Sequence, residues 1–382
     1  MTTGPSSAAA PREPRAATEP APARPRRLRS AARFLAAFAL PWILLEIGLR
    51  VVGWQPPDMR PRVALFPRFP AFYEPQRELG WVLKPNLDWQ GMEVAIPFRT
   101  EARGHRAHGD PDAPDGTLAV DAIGDSSTFG FGVPAEQTYP AVLERRLRDV
   151  TGDASLRVRN LGVPGYTSYE ARILAERGGT RAPVTLVMMG FNDHFPATRT
   201  RSTSLWVRRA AYACFRSRAC ALFFDRATRR DPDAPPPPPR IADRYVPDVA
   251  PDEYRDQLVR TVRALRADGS EPILLVYPSI AMTDGLREQI ADYWKQPLDQ
   301  VDANLAAHTV YQQITRDVGA SEGVRVVDLP PLFDAAGNVR LHFDWVHPNA
   351  EGQALIADTV VGPVRDALAA SRTRGAADGK EP

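Results

Sequence analysis

The chain has 382 residues, 43% of them hydrophobic, and a formal net charge of +2. This length and composition allow a sizeable core in one large domain or two modest ones, and the near-neutral charge argues against nucleic acid as a main partner. Two cysteines, Cys214 and Cys220, are too few for a disulfide framework or a zinc site built from cysteines.

The N-terminal region combines a polar tail with an apolar run. Residues 1–33 are rich in Ala, Pro, Ser and Arg, with seven Arg against two Glu, which predicts a disordered basic tail. Residues 34–54, FLAAFALPWILLEIGLRVVGW, have the length of a membrane span. Glu46 and Arg50 interrupt this run, and on a helix they are spaced to form an i,i+4 ion pair.

A single-pass transmembrane anchor is the interpretation that this pattern favours over a cleaved signal peptide or a buried core helix. No small-x-small cleavage site follows the apolar run. Because basic residues precede the run, the N-terminus is expected in the cytoplasm. The remaining chain is then expected outside the cytoplasmic (inner) membrane, in the periplasm or the cell exterior.

The rest of the chain divides into a Pro- and aromatic-rich segment, a main domain and a tail. Residues 55–117 show no helical period, which predicts an irregular segment with short strands that packs on the main domain, 118–370. Residues 371–382 are expected to form a disordered tail. The predicted strands of the main domain are 118–123, 156–160, 184–189, 273–277 and 324–327. The predicted helices are 139–150, 168–177, 253–267, 301–318 and 350–369.

The alternation of strands and helices predicts an α/β fold, with a parallel sheet of about five strands and helices on both faces. Five strands suit a flavodoxin-like order, in which binding sites form beyond the carboxyl ends of the strands. Residues 197–240 break the alternation. They contain SLWVRRAAYACFRSRACALFFDRATRR (204–230) followed by five consecutive prolines, which predicts a helical insertion.

This insertion leaves the chain directly after one of the expected site segments. It is interpreted either as a helical cap over the site or as a surface hairpin without a role. On a continuous helix the six-residue spacing of Cys214 and Cys220 would place them on different sides. A disulfide between them therefore requires a turn.

Four short segments are expected to converge at the carboxyl edge of the sheet. They are GDSST (124–128), NLGVPGYTS (160–168), GFND (190–193) and DWVHP (344–348). Ser126 is a hydroxyl nucleophile that needs a base, which His347 can supply. Asp344, three residues earlier, can accept a hydrogen bond from the other ring nitrogen. The backbone N–H groups of Ser126 and Gly165 and the side-chain amide of Asn192 are suitable donors to an oxyanion.

Other site chemistries fit these residues less well. The G-x-S-x-G elbow of α/β-hydrolases needs a glycine where Thr128 stands, and it separates its acid from its histidine. A phosphate-binding loop would need a Gly-Lys-Ser/Thr sequence. A metal site would combine His342, Asp344 and His347, but no further His or Cys cluster supports it.

The four segments resemble the blocks of the SGNH, or GDSL-type, hydrolase superfamily. Ser126 in GDSSTFG matches the block-one serine, Gly165 in VPGYTS the block-two glycine, and Asn192 in GFND the block-three asparagine. Asp344 and His347 match the DxxH of block five. The resemblance covers roughly residues 118–370 and implies a three-layer fold and ester hydrolysis without a metal or another cofactor. The upstream LGWVLKPN and EARGHRAHG resemble segments of bacterial, membrane-anchored members.

Residues beside the motifs are candidates for the pocket lining or for support. Asp125 and Asp193 are expected to be structural hydrogen-bonding residues. The candidates for the pocket lining are Phe131, Tyr166, Phe191, His194 and Trp345. For the aromatic members, ordinary core packing is the competing interpretation.

The sequence thus predicts a membrane-anchored serine esterase of the bacterial envelope. Its expected substrate is an O-acyl ester, acetyl or another short acyl group, of an envelope glycan or lipid. Two alternatives remain open: an O-acyltransferase that uses the same triad, and a non-catalytic tethered assembly protein that retains the fold.

Overall fold

The chain forms two units, Met1–Gln55 and Pro56–Pro382. The computed structural model describes residues 26–54, 72–91, 96–109, 116–195, 205–228, 245–294 and 296–377. The outer parts of the two predicted tails, 1–25 and 378–382, lie outside these ranges.

The first unit contains helix α1 (Arg26–Val51). It begins before the predicted start at residue 34, so residues 26–33, predicted to be disordered, are helical; Arg, Ala and Leu, which favour helices, dominate this stretch. The side chains of Glu46 and Arg50 form the expected i,i+4 ion pair, at 2.7 Å. Within the described part of the chain, no helix is both long enough and apolar enough to cross a membrane.

Two short antiparallel hairpins precede the main domain. Their strands are β1 (Tyr73–Gln76) with β2 (Gly80–Leu83), and β3 (Asp88–Trp89) with β4 (Phe98–Arg99). Aromatic side chains of both hairpins enter the core of the main domain. The ring of Trp81 lies 5.7 Å from that of Tyr166, and the ring of Phe98 lies 5.0 Å from that of Phe129. This segment is therefore built into the domain that carries the site.

The main domain is organised by a five-stranded parallel sheet with the order β6-β5-β7-β8-β9. Its strands are β5 (Thr117–Gly124), β6 (Leu156–Gly162), β7 (Val184–Met188), β8 (Glu271–Val276) and β9 (Arg325–Asp328). All five predicted strands and the flavodoxin-like order are thus confirmed. Gly124 pairs in register with Gly162 and with Met188, so the loops after the first three strands begin at the same level.

Helices cover both faces of the sheet. The helices of the main domain are α2 (Ser126–Phe129), α3 (Tyr139–Thr151), α4 (Ser168–Glu176), α5 (Phe191–His194), α6 (Leu205–Arg216), α7 (Arg218–Thr228), α8 (Pro251–Ala267), α9 (Leu286–Trp294), α10 (Leu298–Glu322), α11 (Pro330–Ala335) and α12 (Ala350–Ala377). Apolar residues of α4, α8 and α10 share one core with Ile123, Val187 and Leu274. Those of α3 and α12 share the other core with Ala122 and Leu186. Successive strand residues alternate between the two cores, as parallel strands buried on both faces require.

The five predicted helices are present, and the last one is longer than expected. Helix α12 continues to Ala377, so residues 371–377, predicted to be part of a tail, are helical. Ala and Arg, which favour helices, are frequent in this stretch, SRTRGAA, and the helix extends beyond its packed part.

The described part of the insertion consists of α6 and α7, which meet at Ser217. The break provides the turn that a Cys214–Cys220 disulfide requires, and the two cysteines are bonded. On α6, Arg209 forms an ion pair at 2.5 Å with Glu78 in the β1–β2 turn. The insertion thus contacts the first hairpin, and a covering of the site by this insertion stays a prediction.

Removing the disulfide should loosen the α6–α7 hairpin. The bond joins cysteines that are six positions apart and so closes a short loop. Replacing both cysteines by Ser is therefore expected to destabilise the hairpin by about 2 kcal/mol. Limited trypsin digestion, followed by mass spectrometry, should then show faster cleavage after Arg216 and Arg218. Wild-type protein treated with a reductant should match the double variant. Equal cleavage of the oxidised protein and the variant would contradict this role of the disulfide.

Candidate active site

Ser126 is placed at the start of a single helical turn at the carboxyl end of β5. Asp125 caps this turn, because its Oδ1 accepts a hydrogen bond at 2.9 Å from the backbone N–H of Ser127. The N–H of Ser126 belongs to the first turn of a helix, where intrahelical acceptors are missing. The loop therefore presents the Ser126 hydroxyl together with a backbone donor.

His347 and Asp344 lie on the loop that precedes α12, and they face Ser126. His347 Nε2 is 2.8 Å from Ser126 Oγ, and His347 Nδ1 is 2.7 Å from Asp344 Oδ2. Asp344 Oδ1 accepts from the backbone N–H groups of Val346 and His347, at 2.7 and 2.8 Å. The three side chains predicted to form a triad are thus brought together in one hydrogen-bonded row.

The charge on Asp344 determines which atoms donate and which accept in this hydrogen-bonded row. Burial opposes its ionisation, but hydrogen bonds from the His347 ring and from two backbone amides outweigh burial and hold the pKa of Asp344 below its ordinary value. An ionised carboxylate can only accept, so His347 Nδ1 carries the proton. In the neutral imidazole with this tautomer, Nε2 is the acceptor and can receive a hydrogen bond from the hydroxyl of Ser126.

Gly165 and Asn192 come from the loops after β6 and β7. Gly165 has φ +85, which residues with a side chain rarely adopt. Asn192 Nδ2 donates to the carbonyl of Tyr166 at 2.9 Å and to Asp125 Oδ2 at 3.3 Å. The predicted oxyanion donors therefore lie on adjoining loops. To donate to a substrate oxygen, Asn192 would give up one of these bonds, and the bond to Asp125 is the longer.

Asp125 is fully buried and contacts three loops of the site. Besides Ser127 and Asn192, its carboxylate accepts from Tyr277 Oη at 3.2 Å. Tyr277 Oη also lies 2.5 Å from Ser127 Oγ. Burial, only partly offset by these bonds, raises the pKa of Asp125 to about 6. The sequence interpretation overlooked Tyr277, although its position directly after β8, at the same edge of the sheet, was a signal for it.

Asp193 joins the loop after β7 to the start of α4. It is fully buried, and its Oδ1 accepts from the backbone N–H and the hydroxyl of Ser168, at 3.0 and 2.5 Å. Burial raises the pKa of Asp193 to about 7. Asp125 and Asp193 thus both act as the structural hydrogen-bonding residues that the sequence indicated.

Three of the five candidate pocket residues lie on segments close to Ser126, Asn192 or Asp344. The Phe131 ring stacks on the His347 imidazole, with a centroid distance of 4.4 Å. Phe191 and Trp345 contact each other at 5.6 Å beside the Asn192 loop, with Phe191 almost completely buried and Trp345 partly exposed. Phe131 therefore contacts the row directly, and a role of Phe191 and Trp345 in lining the pocket stays a prediction.

The other two candidates are inside the protein. Tyr166 is buried in the core, and its hydroxyl donates to the Trp81 carbonyl at 2.8 Å. His194 is fully buried, with its ring nitrogens 2.8 Å from Asn304 Oδ1 and 2.9 Å from His308 Nδ1. Burial, assisted by the neighbouring His308, lowers the pKa of His194 to about 3, so the ring is neutral. Sequence proximity to the motifs did not indicate which way these side chains point.

Arg106 is a supporting residue to which the sequence interpretation gave no role. Its buried guanidinium donates to the carbonyls of Phe129, Gly130 and Val133, at 2.6, 2.6 and 2.7 Å. Burial lowers the pKa of Arg106 to about 9, so it stays charged at neutral pH. Arg106 thereby ties the segment before the main domain to the loop that carries Phe131.

His342 does not join Asp344 and His347 in a shared site. Its Nδ1 donates to the carbonyl of Asn338 at 2.8 Å, and its ring packs against Phe333. Among the residues whose structure is described, no group of three His, Cys, Asp or Glu side chains is arranged to hold a metal ion.

Replacing Asp193 by Asn should change how stability depends on pH. The folded protein keeps this proton to about pH 7, whereas an unfolded Asp releases it near pH 4. Between these values the folded state binds more protons, so this group makes the wild type less stable as the pH rises. Urea unfolding at pH 4.5 and 7.5 should show Asp193→Asn gaining stability relative to wild type, by at most about 1.4 kcal/mol per pH unit.

The exposed Asp284 offers a matched control. Asp284→Asn should follow the wild-type pH dependence. If Asp193→Asn also followed it, the raised pKa of Asp193 would be refuted.

Some solved structures are similar to this chain at low identity. LAE5, an α/β hydrolase enzyme from the metagenome of Lake Arreo, is 21% identical with a TM-score of 0.42, over 66% of this chain and 97% of its own. A catalytic mutant of Axe2, an acetylxylan esterase from Geobacillus stearothermophilus, is 16% identical with a TM-score of 0.41, over 66% and 95%. The lipase/acylhydrolase from Enterococcus faecalis is 16% identical with a TM-score of 0.40, over 65% and 96%.

The sequence profile of one protein family matches the chain. No curated protein matches the chain significantly. The GDSL-like Lipase/Acylhydrolase profile, however, matches residues 122–355, which is more than half of the chain and includes every segment of the row. The chain therefore belongs to the GDSL-like lipase/acylhydrolase family, and it is an ester hydrolase by class.

Proposed function

We propose that the protein is a serine esterase that hydrolyses O-acyl esters through Ser126, His347 and Asp344. The observation that carries this proposal is the hydrogen-bonded row from Ser126 Oγ through His347 to Asp344, with separations of 2.8 and 2.7 Å. This is the geometry that activates a hydroxyl nucleophile by a base and orients that base by a carboxylate.

The reaction follows from the positions of these groups. His347 Nε2 takes the proton of Ser126 as Oγ attacks the ester carbonyl, and Asp344 stabilises the resulting imidazolium. The N–H groups of Ser126 and Gly165 and the amide of Asn192 receive the oxyanion. His347 then gives its proton to the departing alcohol, which leaves an acyl-serine ester. Water, activated by the same histidine, cleaves this ester and releases the carboxylic acid.

We place the enzyme at the cytoplasmic membrane, with its catalytic domain in the periplasm or cell exterior. Two observations support this placement. The Cys214–Cys220 disulfide fits an oxidising compartment. Large apolar side chains of α1 are between 42 and 59% exposed: Leu40, Trp42, Ile43, Leu44, Leu45 and Ile47. An enzyme held there meets O-acylated glycans and lipids of the envelope, and we propose an acetyl or other short acyl ester of one of them as the substrate.

Removing the nucleophile should abolish turnover. Ser126→Ala is expected to lower kcat by roughly ten-thousandfold or more, and His347→Ala by a similar factor because the two residues act as a unit. Asn192→Ala should lower kcat about a hundredfold if the Asn192 amide supplies one oxyanion donor. Hydrolysis of p-nitrophenyl acetate and of acetylated sugars, with and without a glycan acceptor, measures these effects and distinguishes hydrolysis from acyl transfer.

Ser155→Ala provides a matched control, since Ser155 is exposed and precedes β6 at the opposite edge of the sheet. It should retain full activity. Thermal unfolding of each variant shows whether the fold persists. Full activity of a folded Ser126→Ala protein would end the serine-esterase proposal.

The placement at the membrane has its own test. An alkaline phosphatase fused after Pro382 should be active, and a reporter that fluoresces only in the cytoplasm should stay dark. The protein should also stay in the membrane fraction after carbonate extraction, with its N-terminal residues intact by mass spectrometry. Activity of the cytoplasmic reporter, or a truncated N-terminus, would contradict the anchored topology.

A further inference from the structure

Phe343 is a large aromatic residue that stays exposed beside the catalytic row. It lies one residue before Asp344, and 52% of its surface is open to solvent. Its backbone N–H donates to the carbonyl of His347 at 2.7 Å, so its main chain is fixed to the same loop as the proposed base. Aromatic side chains commonly line the sites at which small ligands bind, so an exposed ring next to the catalytic loop is available for contact with a substrate.

The Phe343 ring is held in place and leaves part of its surface free. It packs directly on the backbone of Gly132, where a Cβ would approach the ring to 2.9 Å. Phe131 meets its edge at a centroid distance of 6.2 Å, with an interplanar angle of 63°. The Phe131 ring in turn stacks on His347 at 4.4 Å. Phe131 and Phe343, the aromatic platform, therefore extend outward from the imidazole.

The chemistry of the row determines which part of an ester lies along this platform. In the tetrahedral intermediate, the oxyanion points to the Asn192 side, and the leaving oxygen must lie within reach of His347 Nε2 to receive its proton. The group attached to that oxygen consequently continues past the imidazole. The platform is the aromatic surface in contact with this imidazole, through Phe131, whereas Phe191 and Trp345 contact each other next to the Asn192 loop.

We propose that the aromatic platform is the subsite for the alcohol part of the ester, and that this alcohol is a sugar ring. The inference rests on the proposed esterase function and deepens it. A pyranose presents C–H groups on one face, which pack on an aromatic ring, and hydroxyl groups at its edge, which remain in water. The open, half-exposed ring of Phe343 suits such a flat ligand better than a long alkyl chain, which needs an enclosed apolar channel.

The experiment compares alcohols while the acyl group stays constant. The substrates are a methyl 6-O-acetyl-pyranoside, decyl acetate and ethyl acetate, whose ethyl group is too short to cover the platform. Phe343→Ala should lower kcat/KM for the sugar acetate by roughly 3- to 10-fold, mainly through KM, and leave ethyl acetate unchanged. Phe343→Trp should keep kcat/KM for the sugar acetate close to the wild-type value, since tryptophan also presents an aromatic face.

A second comparison varies the acyl group on one alcohol. Because the platform contacts the alcohol, Phe343→Ala should not change the ratio of kcat/KM between the acetate and the butyrate of the same sugar. Val339→Ala removes another half-exposed apolar side chain, 50% open to solvent, from the turn before the loop. This control should behave like wild type with every substrate.

The outcomes distinguish a failure of the sugar subsite from a failure of the serine-esterase function on which it rests. If wild type hydrolyses no ester, or folded Ser126→Ala remains active, the serine-esterase function fails and the subsite falls with it. A second outcome is that turnover depends on Ser126 while Phe343→Ala lowers kcat/KM equally for all acetates, or changes it for none of them. In that case the platform is not an alcohol subsite. A selective loss with decyl acetate would assign it to a lipid alcohol instead, and a changed acetate-to-butyrate ratio would assign it to the acyl group. Either result overturns the sugar subsite.

Discussion

The buried carboxylate of Asp125 is the constraint on which the arrangement of the site depends. One side chain accepts from the loop after β5 through the Ser127 N–H, from the loop after β7 through Asn192, and from Tyr277 at the end of β8. A fully buried carboxylate is costly unless such donors surround it. The unfavourable burial of this charge is not fully offset, since it raises the pKa of Asp125 to about 6. The helical turn that begins at Ser126 and the Asn192 amide are therefore held by the same group.

The other end of the Ser126 turn is held by a positive charge. Helix α2 is a single turn, with Asp125 at its start and the guanidinium of Arg106 on the carbonyls of Phe129 and Gly130 at its end. A negative group at the N-terminus and a positive group at the C-terminus both favour the helical turn. Because Arg106 comes from the segment before the main domain, that segment supports the Ser126 turn directly.

Much of the fold and of the site was predictable from the sequence, for identifiable reasons. Apolar runs and their alternation with helical stretches gave the five strands, and parallel strands necessarily bring their following loops to one edge. This is why Ser126, Asn192, Asp344 and His347 could be expected together although Ser126 and His347 are 221 positions apart.

What sequence reasoning missed depends on side-chain direction and on contacts across the chain. His194 and Tyr166 stand next to motif residues but point into the core, because a loop of two or three residues can turn a side chain either way. Tyr277 reaches Asp125 across 152 positions, and Arg106 lies in a segment without a periodic pattern. At the chain ends, the composition of residues 26–33 and 371–377 indicated disorder, but their Ala and Arg residues extend existing helices.

The first hairpin contacts both the insertion and the loop that carries Gly165. Glu78, in the β1–β2 turn, pairs with Arg209 of the insertion and with Arg177 at the end of α4. The hydrogen bond from Arg209, only partly opposed by burial, lowers the pKa of Glu78, so the pair is charged at neutral pH. The same hairpin is hydrogen-bonded to the residues before and after Gly165. The Tyr73 hydroxyl donates to the Pro164 carbonyl, and the Tyr166 hydroxyl donates to the Trp81 carbonyl. The insertion is therefore connected, through this hairpin, to the backbone that carries a proposed oxyanion donor.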